Sequence, residues 1–142
     1  MASFMRKRTK AREFALQVLY QLDITRDSCE NALENFWLSQ SETEIADEIK
    51  RFTAELVKGT TENLSAIDAM IVRYATNWQI ERMAVVDRNI LRMGCFELMY
   101  RVDIPPKVSI NEGVDLAKLY SGVESGKFVN AILDKAKEEL KR

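Results

Sequence analysis

The chain has 142 residues, of which 46% are hydrophobic and 30% charged, and its formal net charge is −1. This length suits one domain with a sizeable core. Only five glycines and two prolines occur, which argues against turn-rich β folds and against disorder. We therefore expect a single domain over residues 1–142, built from helices that are joined by short loops.

The first half of the chain predicts four helices from apolar residues that recur every three or four positions. The first covers about residues 9–23, and residues 1–8 before it are expected to form a flexible basic arm. A short helix follows over 30–38, and a longer one over 42–58, which Gly59 would end or kink. A row of apolar residues from Leu64 to Trp78 predicts the fourth, with a break near Asn77.

The second half predicts a central helix over residues 80–101, apolar around most of its circumference, and two helices after it. Ser109 and Glu112 have the spacing of a capping box, which predicts a helix over about 110–120. Residues 122–126 are expected to form a loop before a last helix over about 127–141. The predicted fold is all-α, with about seven helices in two adjoining bundles.

The residue types argue against catalysis and metal binding, because the chain has no histidine and only two cysteines. Cys29 and Cys95 fit no zinc-site spacing and suit reduced core residues of a cytosolic protein. No apolar run approaches the length of a membrane span, and no signal peptide is visible. We expect a cytoplasmic protein that is not an enzyme, uses no cofactor or metal and does not enter a membrane.

Positive charge is concentrated near the N-terminus, where five cations occur within seven residues. Such a cluster can bind phosphates, and arginine can also stack on unpaired RNA bases. An ordinary solvated tail is the alternative explanation. The cluster consists of Arg6, Lys7, Arg8, Lys10 and Arg12.

The segment from Gly122 to Lys127 imitates a phosphate-binding P-loop, but its glycine spacing is one residue short and no strand precedes it. Gly126 and the first helical turn could still present backbone N–H groups to an anion. Phe128 lies off the predicted apolar stripe and could stack on a base beside Lys127. The alternative is an ordinary helix start with Phe128 packed in the core.

Charged residues elsewhere form no catalytic group. Arg92, on the polar strip of the central helix, could pair with an acid such as Glu97 or Glu112, or reach a phosphate, and the sequence leaves both open. Glu97 with Arg101, and Asp115 with Lys118, have the spacing of helix-surface ion pairs.

Three stretches together resemble the NusB family of bacterial transcription antitermination factors. One is the opening helix, residues 12–20 (REFALQVLY). Another is the central helix, residues 87–93 (DRNILRM) with Glu97 and Leu98. The third is C-terminal: residues 104–112 (IPPKVSINE), 116–118 (LAK) and 125–130 (SGKFVN) with 132–134 (ILD). The resemblance runs from about Arg6 to Lys137, with Ala131 where the family usually has glycine.

The resemblance implies binding to boxA, a single-stranded element of ribosomal RNA leaders. It also implies a heterodimer with NusE, a small-subunit ribosomal protein, within an antitermination complex on RNA polymerase. RNA contacts would be made by the five N-terminal cations and by a second set in the C-terminal half, and other residues would face NusE. The second RNA set is Arg92, Glu124, Ser125, Lys127, Phe128 and Asn130, and the NusE set is Tyr20, Tyr74, Glu81 and Asp87.

Two rival interpretations remain. NusB-like domains also precede ribosomal RNA cytosine methyltransferases, but that activity needs a glycine-rich cofactor loop and a nucleophilic cysteine in a second domain. We find neither of these in the chain. A homodimer of the free protein could instead cover the basic cluster, and the sequence does not decide this.

Overall fold

The computed structural model describes residues 2–40 and 44–142. Those residues form seven α-helices and a short 3-10 helix, with no strand among them, which confirms the predicted all-α fold. The helices are α1 (Ala2–Thr25), α2 (Cys29–Ser39), α3 (Asp47–Glu62), α4 (Leu64–Tyr74), α5 (Val85–Tyr100), α6 (Pro106–Tyr120) and α7 (Val123–Glu139), with the 3-10 helix at Ile80–Arg82. No helix in the described part of the chain is long and apolar enough to cross a membrane.

The contacts divide the chain into two compact units, residues 1–61 and 62–142, where the sequence led us to expect one domain. The N-terminal unit holds α1, α2 and nearly all of α3. The C-terminal unit holds α4 to α7. The two units correspond to the two predicted bundles.

In the N-terminal unit, α2 packs on α1 through an aromatic cluster. The ring of Phe14 meets Phe36 and Trp37 edge-on, at centroid distances of 5.4 and 5.6 Å. Ser28 caps the start of α2 by accepting a hydrogen bond from the Asn31 backbone N–H at 3.1 Å, which satisfies one of the amides that a helix start leaves unpaired. These contacts fix the direction of α2 against α1.

Helix α1 begins at Ala2, so the prediction of a flexible arm over residues 1–8 is wrong for the part that the structure describes. The extra turns have a tertiary reason. Lys7 forms an ion pair with Glu48 on α3, and the guanidinium of Arg8 lies over the ring of Phe52, also on α3. These contacts hold in a helix the residues that we expected to be flexible.

Helix α5 is the centre of the C-terminal unit, as its nearly all-round apolar character predicts. Ile90, Leu91, Cys95 and Leu98 are at most 1% exposed. The predicted helix over 80–101 is in fact the 3-10 turn followed by α5. The predicted stop of α3 at Gly59 is also wrong, because α3 continues to Glu62.

The predicted capping box at Ser109 is wrong, because α6 begins three residues earlier, at Pro106. Proline is favoured in the first helical turn, where its missing N–H costs nothing. Ser109 therefore points inward, and its hydroxyl donates a 2.8 Å hydrogen bond to the buried Glu97 carboxylate. Arg101 forms an ion pair with Asp103.

Helix α7 also begins earlier than predicted, at Val123, so residues 123–126 are helical. Gly122 has a φ of 110°, a left-handed backbone conformation that suits glycine. Its N–H donates to the carbonyl oxygens of Ala117 and Lys118, which closes the end of α6. The connection between α6 and α7 is therefore only Ser121 and Gly122.

Candidate nucleic-acid interface

The C-terminal unit contains an open cleft of about 350 Å³ between the start of α7, the start of α5 and the segment after α4. This volume falls within the range of small-ligand sites. The cleft is lined by Trp78, Met83, Ala84, Asp87, Glu124, Ser125 and Phe128. It brings together three predicted RNA-binding residues and one residue that was predicted to face NusE.

Two aromatic rings form one wall of this cleft. Phe128 is half-buried, and its ring meets that of Trp78 edge-on, with centroids 6.2 Å apart and planes at 70°. Trp78 is 55% exposed, so a flat ring can stack on it. Sequence reasoning placed Trp78 on the apolar stripe of the fourth helix and missed it as a site residue. The sequence did contain a signal, because Asn77 predicts a break in the fourth helix. In the structure α4 ends at Tyr74, and Trp78 lies beyond its end.

Asp87 joins the two predicted surfaces within the cleft. The Ser125 hydroxyl donates a 3.1 Å hydrogen bond to Oδ2 of Asp87. The other carboxylate oxygen, Oδ1, is buried and has no hydrogen-bond partner among the described residues. A buried acceptor left open in this way favours a donor from a bound molecule. Ser125 therefore holds the Asp87 carboxylate in place, with one of its two oxygens left without a partner among the described residues.

The first turns of α7 carry exposed charges of both signs. Lys127 lies 3.5 Å from Glu124, and their side chains are 71% and 90% exposed, so water screens this pair strongly. Asn130 is also exposed. Gly126 does not present a free N–H to an anion as predicted, because that N–H donates to the Gly122 carbonyl inside the helix.

The Arg92 guanidinium is already paired within the C-terminal unit. Its Nε and Nη2 donate to Oδ1 and Oδ2 of Asp68 at 2.8 and 3.0 Å, and its Nη1 lies 3.5 Å from Oδ1 of Asn89. The sequence left internal pairing and phosphate binding open, and this structure has the internal pair. The partner is Asp68 rather than the suggested Glu97 or Glu112.

Four of the five N-terminal cations lie at the surface of the N-terminal unit. Arg6 is exposed, and Lys10 lies 3.7 Å from Glu13 one turn along α1. Lys7 is paired with Glu48, and Arg8 lies between the rings of Phe4 and Phe52. The cations therefore have defined positions on a helix and do not belong to a solvated tail.

Arg12 is the exception, because it is only 2% exposed. Its guanidinium lies 5.3 Å from the centroid of the Phe52 ring. A cation buried in this way is not available to RNA in this structure, so the expected direct contact is corrected. Arg12 instead contributes to the packing of α1 against α3.

The other residues predicted to face NusE lie at three places. Tyr20 is 40% exposed on α1, and Glu81 is exposed in the 3-10 turn. The Tyr74 hydroxyl donates a 2.5 Å hydrogen bond to Glu139, which also pairs with Arg73. The bond to the Glu139 carboxylate raises the pKa of Tyr74, and the same bond, with a smaller contribution from Arg73, lowers the pKa of Glu139.

Comparisons with a protein family and with individual known proteins give the same family for this sequence. The NusB family model matches residues 9–138. The transcription antitermination protein NusB of Thermodesulfovibrio yellowstonii is 46% identical, with 94% of each chain covered, and that of Myxococcus xanthus is 44% identical over 97% of this chain and 99% of the relative.

Solved structures give the same result. The fold matches T. maritima NusB with a TM-score of 0.83 at 37% identity, covering 93% of this chain and 91% of that one. It also matches a chain in the crystal structure of the antitermination factors NusB and NusE in complex with dsRNA. That match has a TM-score of 0.84 at 27% identity and covers 95% of this chain and 98% of that one. This chain therefore belongs to the NusB family of transcription antitermination proteins.

Proposed function

We propose that this protein binds boxA RNA of ribosomal RNA transcripts together with NusE, as part of a cytoplasmic antitermination complex on RNA polymerase. The observation that carries the proposal is the family membership over nearly the whole chain, which includes likeness to a chain solved with NusE and dsRNA. The surface chemistry of each unit supports it. The N-terminal unit offers cations, and the C-terminal unit offers exposed aromatic rings.

Phosphates of the RNA would be held by the surface cations of α1, principally Arg6, Lys7 and Lys10. Phosphate contacts supply affinity and orientation but carry no sequence information. Selection among sequences would come from the cleft, where an unpaired base can stack on Trp78 beside Phe128. Lys127 and Asn130, which are exposed on α7, can contact the strand beside that base.

NusE is a ribosomal protein, and a basic partner suits the acids that were assigned to face it. Glu81 is exposed, and Oδ1 of Asp87 has no hydrogen-bond partner among the described residues. Tyr74 in the C-terminal unit and Tyr20 in the N-terminal unit would each add aromatic contact area for NusE. Since Ser125 donates to Asp87, a NusE group on Asp87 would change the environment of an RNA-facing residue.

The test is fluorescence anisotropy with a labelled boxA RNA and a scrambled RNA of equal length, with and without NusE, over a series of salt concentrations. We expect boxA to bind more tightly, and NusE to increase the difference. Trp78→Ala and Phe128→Ala should each weaken boxA binding by about tenfold, within the range for loss of one stacked base. Tyr100→Ala is the matched control, because Tyr100 is an exposed aromatic residue that stacks on Phe96 outside the cleft.

Equal binding of boxA and scrambled RNA in the presence of NusE would contradict the proposal. Light scattering of the free protein belongs to the same experiment, because a homodimer could cover the basic surface. Calorimetry of NusE binding, with and without boxA RNA, tests the expected coupling. The two ligands must strengthen each other by the same factor if they are coupled at all.

A further inference from the structure

A second cavity lies in the N-terminal unit, between the first turns of α1 and helix α3. It has a volume of about 200 Å³ and is lined by Phe4, Lys7, Arg8, Glu48, Arg51, Phe52 and Glu55. Three of these side chains are cations and two are carboxylates. Two of the cations belong to the N-terminal cluster, but Arg51 lies on α3 and is outside every motif discussed above.

Arg8 is held in a fixed position at this cavity. Its guanidinium carbon lies 4.6 Å from the centroid of the Phe4 ring and 4.2 Å from that of the Phe52 ring. Stacking on two rings restricts the guanidinium plane. A preorganised guanidinium loses less entropy when it binds an anion than a freely moving one does.

Arg51 is exposed and makes no ion pair or hydrogen bond with the rest of the described chain. It lies on the same cavity as Lys7 and Arg8, so the cationic surface of α1 continues onto α3. Arg51 can donate to the oxygens of a phosphate group at this cavity, and Lys7 and Arg8 add positive charge beside it.

Lys7 is already occupied, because its ammonium group pairs with the Glu48 carboxylate. Both side chains are substantially exposed, at 40% and 51%, so water screens the pair and its exchange for another anion costs little. The Glu48 carboxylate therefore occupies the position beside the Lys7 ammonium group at which an external oxyanion would bind. An incoming phosphate would take its place on Lys7.

We propose that this cavity is a phosphate-binding subsite for the RNA backbone, in which Arg51 is an additional contact and Glu48 is the internal competitor that RNA displaces. The proposal rests on the proposed RNA-binding function. It adds α3 to the RNA-binding surface. It also gives a role to Glu48, the acid on α3 whose ion pair with Lys7 helps to hold the first turns of α1 in a helix. It also predicts that removal of one acidic residue strengthens RNA binding.

The test compares Arg51→Gln, Glu48→Gln and Lys50→Gln in the same anisotropy assay with labelled boxA RNA. Lys50 is the matched control, because it is the neighbouring cation on α3 but its ammonium lies over the Trp37 ring, away from the cavity. We expect Arg51→Gln to weaken binding about three- to tenfold and to make the slope of log K against log salt shallower by about 0.7, the value for one phosphate contact on a single strand.

Glu48→Gln is expected to strengthen binding severalfold at low salt, and Lys50→Gln to behave like wild type. Circular dichroism of each variant confirms that the helices are retained. If wild type prefers boxA but Arg51→Gln matches Lys50→Gln, or Glu48→Gln fails to bind more tightly, the subsite is wrong while the proposed function stands. If wild type binds no RNA even with NusE, the proposed function and the subsite are both overturned.

Discussion

Arg92 and Asp68 join α5 to α4 through two parallel hydrogen bonds, with only 12% and 25% of their side chains exposed. This geometry makes Arg92 a structural residue of the C-terminal unit. An arginine fork that already holds a carboxylate at two points has little left to offer a phosphate. We therefore expect the RNA contacts of this unit at the cleft around Trp78 and Phe128 rather than at Arg92.

Asp68→Ala is expected to lower the free energy of unfolding by about 2–4 kcal/mol, because a largely buried guanidinium loses its partner. Asp103→Ala is the matched control, since it removes a similar two-point pair with Arg101 whose carboxylate is 56% exposed. That exposed pair should contribute about 0–1 kcal/mol. Urea unfolding of both variants measures the difference, and equal losses would contradict the structural role of Arg92.

The close packing of Gly94 against Leu133 gives a second prediction. A Cβ atom at Gly94 would lie 2.9 and 3.1 Å from the two methyl carbons of Leu133, which is fully buried. Gly94→Ala should lower the free energy of unfolding by about 1–3 kcal/mol through overpacking, even though alanine favours a helix.

The control for this contact is a double-mutant cycle with Leu133→Ala, which removes the methyl groups that the new Cβ would meet. In that background Gly94→Ala should cost much less, or even stabilise the protein. Chemical denaturation of the four proteins gives the interaction energy. Additive effects would mean that the strain lies elsewhere.

The two cysteines should differ in reactivity. Burial raises the pKa of the Cys95 thiol to about 12, so almost none of it is thiolate at pH 8. Cys29 is only partly buried, near the Thr61 hydroxyl. Titration with a disulfide reagent should therefore modify one thiol in the native protein and two in guanidinium chloride. A Cys29→Ser variant should show no native reactivity, and rapid labelling of that variant would contradict the burial of Cys95.

The contact of Glu139 with Tyr74 and Arg73 predicts an acid dependence of stability. Because the pKa of Glu139 is lowered on folding, its contribution is present above the unfolded value of about 4.3 and is lost as pH falls through the folded value. Glu139→Gln should flatten the fall in stability in this range. Glu138→Gln, at an exposed neighbour, is the control. Unfolding midpoints in urea across pH 3–6 provide the measurement, and identical curves for the two variants would refute the prediction.

Much of the fold follows from helical spacing, because long amphipathic or apolar segments leave few alternatives. The helix ends were less predictable. Residues 2–8 lack an apolar stripe, and their helix depends on Lys7 and Arg8 meeting α3. Ser109 has the spacing of a cap, but Pro106 starts the helix earlier and turns Ser109 towards Glu97. In the first case a contact with residues distant in sequence decides the outcome, and in the second the nearby proline does.

The candidate site was predictable where local chemistry is distinctive. Phe128 beside Lys127 was identified from the sequence, and the structure places Phe128 in an aromatic cleft. Trp78 was missed because its spacing continues the apolar row of the fourth predicted helix. In the structure α4 ends at Tyr74, so Trp78 lies outside the helix and its side chain is not part of that row. The burial of Arg12 over Phe52 could not be read from α1 alone, because Phe52 lies forty residues further along the chain.

The two-residue connection between α6 and α7 limits how the chain can vary in length. Gly122 closes the end of α6 and directly precedes the first residue of α7, so no further loop residue separates the two helices. One inserted residue that extended α7 at its start would rotate the following side chains by about 100° around the helix axis. Phe128 would then turn away from Trp78 while the core positions of α7 lost their register. Tolerated insertions should therefore be rare at this turn.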